Sequence, residues 1–175
     1  MFYLMNIKQH MDLIKACISK DTEKALDLIM NNTNLDIVDS YGRTALMWAC
    51  HYEMKEVALE LIKTEKSNLD QIGKDGNTAL IWACRRETKE VALELIKTGH
   101  AKPEQVDLFG YTTLSWACEN DMKEVAYELV SIGAFTINDL MSLKPEWVSE
   151  KLERVSEKLE RVSEKLEWVS DDLFV

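Results

Sequence analysis

Apolar residues between positions 44 and 133 fall into a pattern that repeats itself. Leu46 and Ala49 stand three apart, as do Leu80 and Ala83, and Leu114 and Ala117. That spacing puts two side chains on one face of a helix. A second apolar set follows each pair: Val57, Ala58, Leu61 and Ile62, then Val91, Ala92, Leu95 and Ile96, then Val125, Ala126, Leu129 and Val130. These i, i+1, i+4, i+5 stripes predict a second helix with one buried side, while Glu56, Glu60 and Lys63 keep the other side wet. Gly42, Gly76 and Gly110 mark the turns before the first helices, and Thr44, Thr78 and Thr112 are placed to cap the free amides that follow. Gly99 and Gly133 supply left-handed stops after the second helices.

The whole stretch Thr44-Ala45-Leu46-Met47-Trp48-Ala49-Cys50 returns 34 residues later as Thr78 to Cys84, and after another 34 as Thr112 to Cys118. A fixed period of this length predicts a stack of helix–turn–helix units. Three full units span residues 32–133. Residues 1–31 read as an N-terminal capping unit without the opening turn, because Ala16-Cys17 lies 33 residues before Ala49-Cys50. Two short helices are expected there, roughly 7–18 and 22–31, and Lys8, Gln9, Asp12 and Lys15 give a wetter outer face that stops the stack from growing. Residues 134–144 form a closing segment that is a possible cover for Leu108 and Phe109.

Residues 145–175 follow a different period. Leu152, Leu159, Leu166 and Leu173 alternate with Val148, Val155, Val162 and Val169 at steps of three and four. This heptad seam, entered through Pro145, predicts one amphipathic helix over 145–172, roughly 40 Å long at 1.5 Å per residue. It has two readings. The eight seam residues zip with copies of the chain into an oligomer, or the helix folds back to cap the stack.

The turn with Asp39 and Gly42, repeated as Asp107 and Gly110, then Thr, Leu and Ala, then Glu-Val and Leu-Ile, resembles ankyrin repeats over roughly residues 7–140. The resemblance implies an all-α solenoid that grips other proteins through its turn tips and the concave face of its first helices. The Trp-Ala-Cys flavour is similar to ankyrin proteins of large DNA viruses of protists, which implies the cytoplasm of a host cell. Where the family carries a His that ties neighbouring turns together, this chain has Met47, Ile81 and Ser115. Apolar packing is expected in its place.

Composition narrows the function. With 46% hydrophobic and 30% charged residues the chain is globular. A net charge of −10 repels phosphate, so neither nucleic acid nor an anionic membrane surface is expected as a partner. No apolar run is long enough to span a membrane, and the apolar opening Met1 to Met5 lacks the basic leader of a signal peptide. Cys17, Cys50, Cys84 and Cys118 fall at one equivalent position per unit. Neighbouring units stand a helix-packing distance apart, about 8–10 Å, too far for disulfides. Buried core thiols in an intracellular, reducing compartment are expected. His10, His51 and His100 have no ligand-spaced partner, and no nucleophile or phosphate-loop motif occurs. The sequence predicts neither an enzyme nor a cofactor or metal site.

Positions that stay constant between units report stacking, so Trp48, Trp82 and Trp116 read as architecture. Positions that change are free to carry specificity. The changing turn tips are Ser40, Tyr41 and Arg43; Lys74, Asp75 and Asn77; and Leu108, Phe109 and Tyr111. The changing first-helix ends are His51 and Tyr52; Arg85 and Arg86; and Glu119 and Asn120. Tyr, Phe and Arg are enriched in binding hot spots. These fifteen residues are the candidate partner-binding surface of a non-catalytic scaffold. The alternative is a structural protein assembled through the heptad helix.

Overall fold

The computed structural model describes residues 11–31, 34–64 and 66–143, and the chain divides into two compact units, Met1–Thr136 and Ile137–Val175. In the first unit α1 covers residues 11–18, followed by α2 (Thr22–Met30), α3 (Ala45–His51), α4 (Lys55–Lys63), α5 (Ala79–Arg85), α6 (Lys89–Lys97), α7 (Thr113–Glu119) and α8 (Lys123–Ser131). The second unit contributes α9 (Ile137–Ser142). The predicted heptad helix, with Val148, Leu152, Val155, Leu159, Val162, Leu166, Val169 and Leu173, lies outside the described residues.

The first helices α3, α5 and α7 stack on one another, and the second helices α2, α4, α6 and α8 form a parallel row behind them. The core sits between the rows. Leu46, Leu80 and Leu114 are buried, with Ala49, Ala83 and Ala117 beside them and Val57, Leu61, Val91, Leu95, Val125 and Leu129 facing them. Small alanines on the first helices allow the close approach that the stacking needs. No helix among the described residues is long and apolar enough to cross a membrane.

Local chemistry sets both ends of each first helix. Thr44, Thr78 and Thr112 are extended, and each hydroxyl accepts from the amide three residues on: Met47 at 3.2 Å, Ile81 at 3.1 Å and Ser115 at 3.1 Å. At the other end Glu53, Glu87 and Asp121 are left-handed, with φ of 60°, 57° and 52°. The amide of Glu53 donates to Cys50 O and that of Met54 to Ala49 O, and the same pair of bonds recurs in the next two units. This is the Schellman stop, with the buried Met54 or Met122 closing it from below. Glycine is the usual residue at such a position, and a side chain there costs about 1 kcal/mol. The sequence does not signal these stops.

The turns are tied without the family His. Lys74 N donates to Tyr41 O at 2.9 Å, and Leu108 N donates to Asp75 O at 3.1 Å. Backbone bonds therefore lace each turn to the next, while Met47 and Ile81 are buried beneath them. Sequence reasoning expected apolar packing alone. Gly76 is needed where it stands, because a Cβ there would lie 2.6 Å from Val106 O.

Candidate functional site

The turn of the first unit is organised by one carboxylate. Asp39 Oδ1 accepts from the amides of Tyr41 (2.8 Å) and Arg43 (2.9 Å), and Oδ2 accepts from the indole N–H of Trp48 at 2.9 Å. The third unit repeats this: Asp107 Oδ1 takes the amides of Phe109 and Tyr111, and Oδ2 takes Trp116 Nε1 at 3.0 Å. In the middle unit the equivalent residue is Gly73, so Trp82 Nε1 is buried without an acceptor. Asp75, two residues on, partly replaces the missing carboxylate. It accepts from Asn77 N at 3.2 Å and from the Arg43 guanidinium of the preceding unit at 2.6 Å. Burial alone pushes the Asp75 carboxyl up, but the hydrogen bonds from Arg43 and Asn77 outweigh it and hold the group below its ordinary value.

Along the first-helix side, indoles and guanidinium groups alternate. Arg43 lies 4.9 Å from the Trp48 ring and 5.6 Å from Trp82. Arg85 lies 5.2 Å from Trp82 and 5.0 Å from Trp116. The order is therefore Trp48, Arg43, Trp82, Arg85, Trp116 across all three full units. Each contact of this kind is worth roughly 0.5–2 kcal/mol, more when desolvated. Trp82, at the centre, is only 5% exposed. Trp48 and Trp116 are half-buried and belong to the surface as well as to the stack. Constancy between units had pointed to architecture only. A helix-spacing signal was present all along: Arg85 follows Trp82 by three residues, which puts the two side by side.

The changing positions extend this row. His51 packs edge-on against Trp82 at 4.4 Å and Tyr52 at 4.6 Å, and Tyr52 stacks on Trp48 at 5.6 Å. Tyr111 stacks on Trp116 at 4.8 Å. Arg86 reaches His51 Nδ1 at 3.4 Å, and Lys20 lies over the Tyr52 ring at 5.0 Å. Ser40, Tyr41, Lys74, Arg86, Tyr111 and Glu119 are exposed, and Leu108 and Phe109 are 73% and 71% exposed at the third tip. Four of the fifteen candidates are engaged inside the stack, among them Arg43 and Asp75 by their pair at 2.6 Å. Asn77 is only 3% exposed, and the Asn120 amide donates to Cys84 O at 2.9 Å, tying the third unit to the second. Those changes between units follow internal contacts rather than a free surface. Lys20 was missed because the capping unit has no tip to compare.

The electrostatics are local and positive. Burial first, then the charges of Arg86, Arg43, Arg85 and Lys20, pull His51 down to about 4. Its ring is neutral at pH 7, and with Arg86 donating to Nδ1 the proton sits on Nε2. The cysteines are the reverse case. Burial pushes Cys17 up to about 12 and Cys118 up to about 11, and also raises Cys50 and Cys84. All four are free thiols, protonated at neutral pH and poor nucleophiles. Among the described residues no group of three His, Cys, Asp or Glu side chains converges as a metal site would require.

A family model for ankyrin repeats (3 copies) matches residues 13–107 and 66–139. No curated protein matches the chain.

Two outcomes are expected. Gly73→Asp combined with Asp75→Tyr recreates the first unit's turn in the middle one. Because Asp75→Tyr alone takes away the carboxylate that pairs with Arg43, the comparison is with that single variant: supplying the Trp82 N–H with an acceptor should make the double variant more stable than it by about 1 kcal/mol, read as a higher urea midpoint. The φ of Gly73 is not in the left-handed region, so the backbone admits the change. The second outcome concerns pH. His51 binds its proton less readily folded than unfolded, where the value is about 6.5. Its contribution is fully present above pH 6.5 and is lost as pH falls toward 4. Between pH 6.5 and 4.5 the urea midpoint should fall less steeply in His51→Asn than in the parent chain.

Proposed function

This chain belongs to the ankyrin-repeat family, and from that premise we propose that it is a non-catalytic scaffold that grips a partner protein. The grip runs through the turn tips and the concave face of the first helices. Ankyrin repeats are in general protein-interaction modules. The observation that carries the reading here is the continuous row of Trp, Arg, His and Tyr from Trp48 to Trp116, with exposed Tyr41, Phe109 and Tyr111 at its edge. Aromatic rings and guanidinium groups held rigid by one another bring large contact area at small entropic cost. Protonated free thiols, three of them buried, and the net charge of −10 fit an intracellular protein whose partner is not nucleic acid.

The test uses four exposed residues, Tyr41, Arg86, Phe109 and Tyr111, changed together to Ala. Capture of partner proteins from a lysate should fall at least tenfold, with far-ultraviolet circular dichroism unchanged. Undiminished capture would place the surface elsewhere.

The heptad pattern over 145–175 supports a second reading, in which the chain also assembles with itself. Light scattering on the full chain and on a chain ending at Lys144 separates the two. Self-assembly predicts a multiple of the monomer mass for the first and a monomer for the second. Two monomers would leave the scaffold reading alone.

A further inference from the structure

The cations of the first compact unit differ in how they are matched. Arg43 is paired with Asp75 at 2.6 Å, Lys55 with Glu90, and Lys89 with Glu124 at 3.1 Å. Among the described residues Lys20, Arg85 and Arg86 have no carboxylate within ion-pair distance. Yet these three border one ring cluster: Arg85 and Arg86 lie 5.2 and 5.9 Å from the Trp82 ring, Lys20 lies 5.0 Å from the Tyr52 ring, and His51 packs between Trp82 and Tyr52. They converge on one aromatic patch in a chain whose net charge is −10.

Arg85 shows what the patch is suited to hold. Its guanidinium carbon lies between two indoles, with Trp82 at 5.2 Å and Trp116 at 5.0 Å, and Phe109 lies at 6.0 Å. Arg85 makes no side-chain hydrogen bond among the described residues, so its donors are unpaired. A guanidinium held among rings with its donors unpaired is suited to bidentate bonding to a planar anion such as a carboxylate. Arg86, exposed and next in sequence, and Lys20, 5.0 Å from the Tyr52 ring, extend the donors along the same face.

We propose that Lys20, Arg85 and Arg86 form a carboxylate-binding patch that takes a short acidic segment of a partner protein, its Asp or Glu side chains seated on those guanidinium donors that make no bond among the described residues. This rests on the reading of the concave face as the binding surface and names the chemistry of what binds there. A long polyanion fits less well. Nucleic acid brings a phosphate about every 1.7 Å, and beyond the patch those charges meet a protein with ten more negative than positive charges. A short acidic segment in an otherwise neutral strand avoids that repulsion. The field around the patch is short-ranged, because salt screens it over about 8–10 Å.

The experiment uses the full chain and three labelled probes in fluorescence anisotropy: an octapeptide alternating Glu and Gly, its Gln counterpart, and a single-stranded octanucleotide. The Glu peptide should bind at least tenfold tighter than the Gln peptide, and more weakly as salt rises. Arg86→Gln, which removes an exposed charge, should weaken it at least threefold. Arg85→Lys, which keeps the charge but loses the bidentate edge, should also weaken it. In parallel, nuclear magnetic resonance titration of the His51 ring should show its pKa rising when the Glu peptide is bound, since an anion offsets the cations around it. Equal binding of the Glu and Gln peptides, indifference to both variants, or equal or tighter binding of the octanucleotide would overturn the proposal. Those results leave the scaffold reading standing or falling separately, on partner capture by the fourfold Ala variant.

Discussion

The interface between successive units governs this molecule. A single helix pair has too little apolar surface to offset the entropy of ordering its own chain. Leu46, Leu80 and Leu114, with the alanines three residues later, are buried only because a neighbour stands on each side or the second-helix row closes behind. Once that stacking is fixed at one unit of spacing, the rest follows. The turns must come into register, which the bonds from Lys74 to Tyr41 and from Leu108 to Asp75 accomplish. The tryptophans must come into line, and gaps open between them that Arg43 and Arg85 fill.

The surface that results holds a cluster of cations against aromatic rings in an acidic molecule. Thirty-one acidic side chains outnumber twenty-one basic ones, and many pair on the outer faces of the second helices, as Lys55 does with Glu90 and Lys89 with Glu124. Exposed pairs of this kind stabilise little individually. Lys55, Lys89 and Glu90 line the same groove as Arg85 and Arg86, and their pairing leaves the two arginines as the cations there without a carboxylate partner among the described residues. The depressed His51 reports the charge of those arginines.

Much of the fold was legible in the sequence because its determinants are local. Helical periodicity, a Thr three residues before the first capped amide, and a Gly at each turn predicted the helix pairs that appear as α3 to α8. The left-handed stops were not legible, since Glu53, Glu87 and Asp121 carry no signature of a positive φ. The candidate site was legible in part. Comparing units singled out Arg85, Arg86 and the tip aromatics as candidates, because change between otherwise constant units is a local signal. It assigned the tryptophans to the stack, where Trp82 is buried, while Trp48 and Trp116 are half-buried and reach the surface as well. It also placed Asn77 and Asn120 on that surface, where Asn77 is buried and Asn120 is tied to the second unit instead. The nine-residue spacing from Asp39 to Trp48 and from Asp107 to Trp116, broken at Gly73, was written in the chain but acquires meaning only when the carboxylate is seen against the indole.

That break makes the units unequal. The middle turn relies on an arginine supplied by the unit before it, whereas the first and third turns are each completed by their own aspartate. A copy of the middle unit moved to the front of the array would have no such donor. A copy inserted directly after itself would find Asn77 where Arg43 should be. Duplication and shuffling, the usual ways such arrays lengthen and diverge, are thereby constrained here: the array can grow freely at its outer units, but its centre is inherited as a pair.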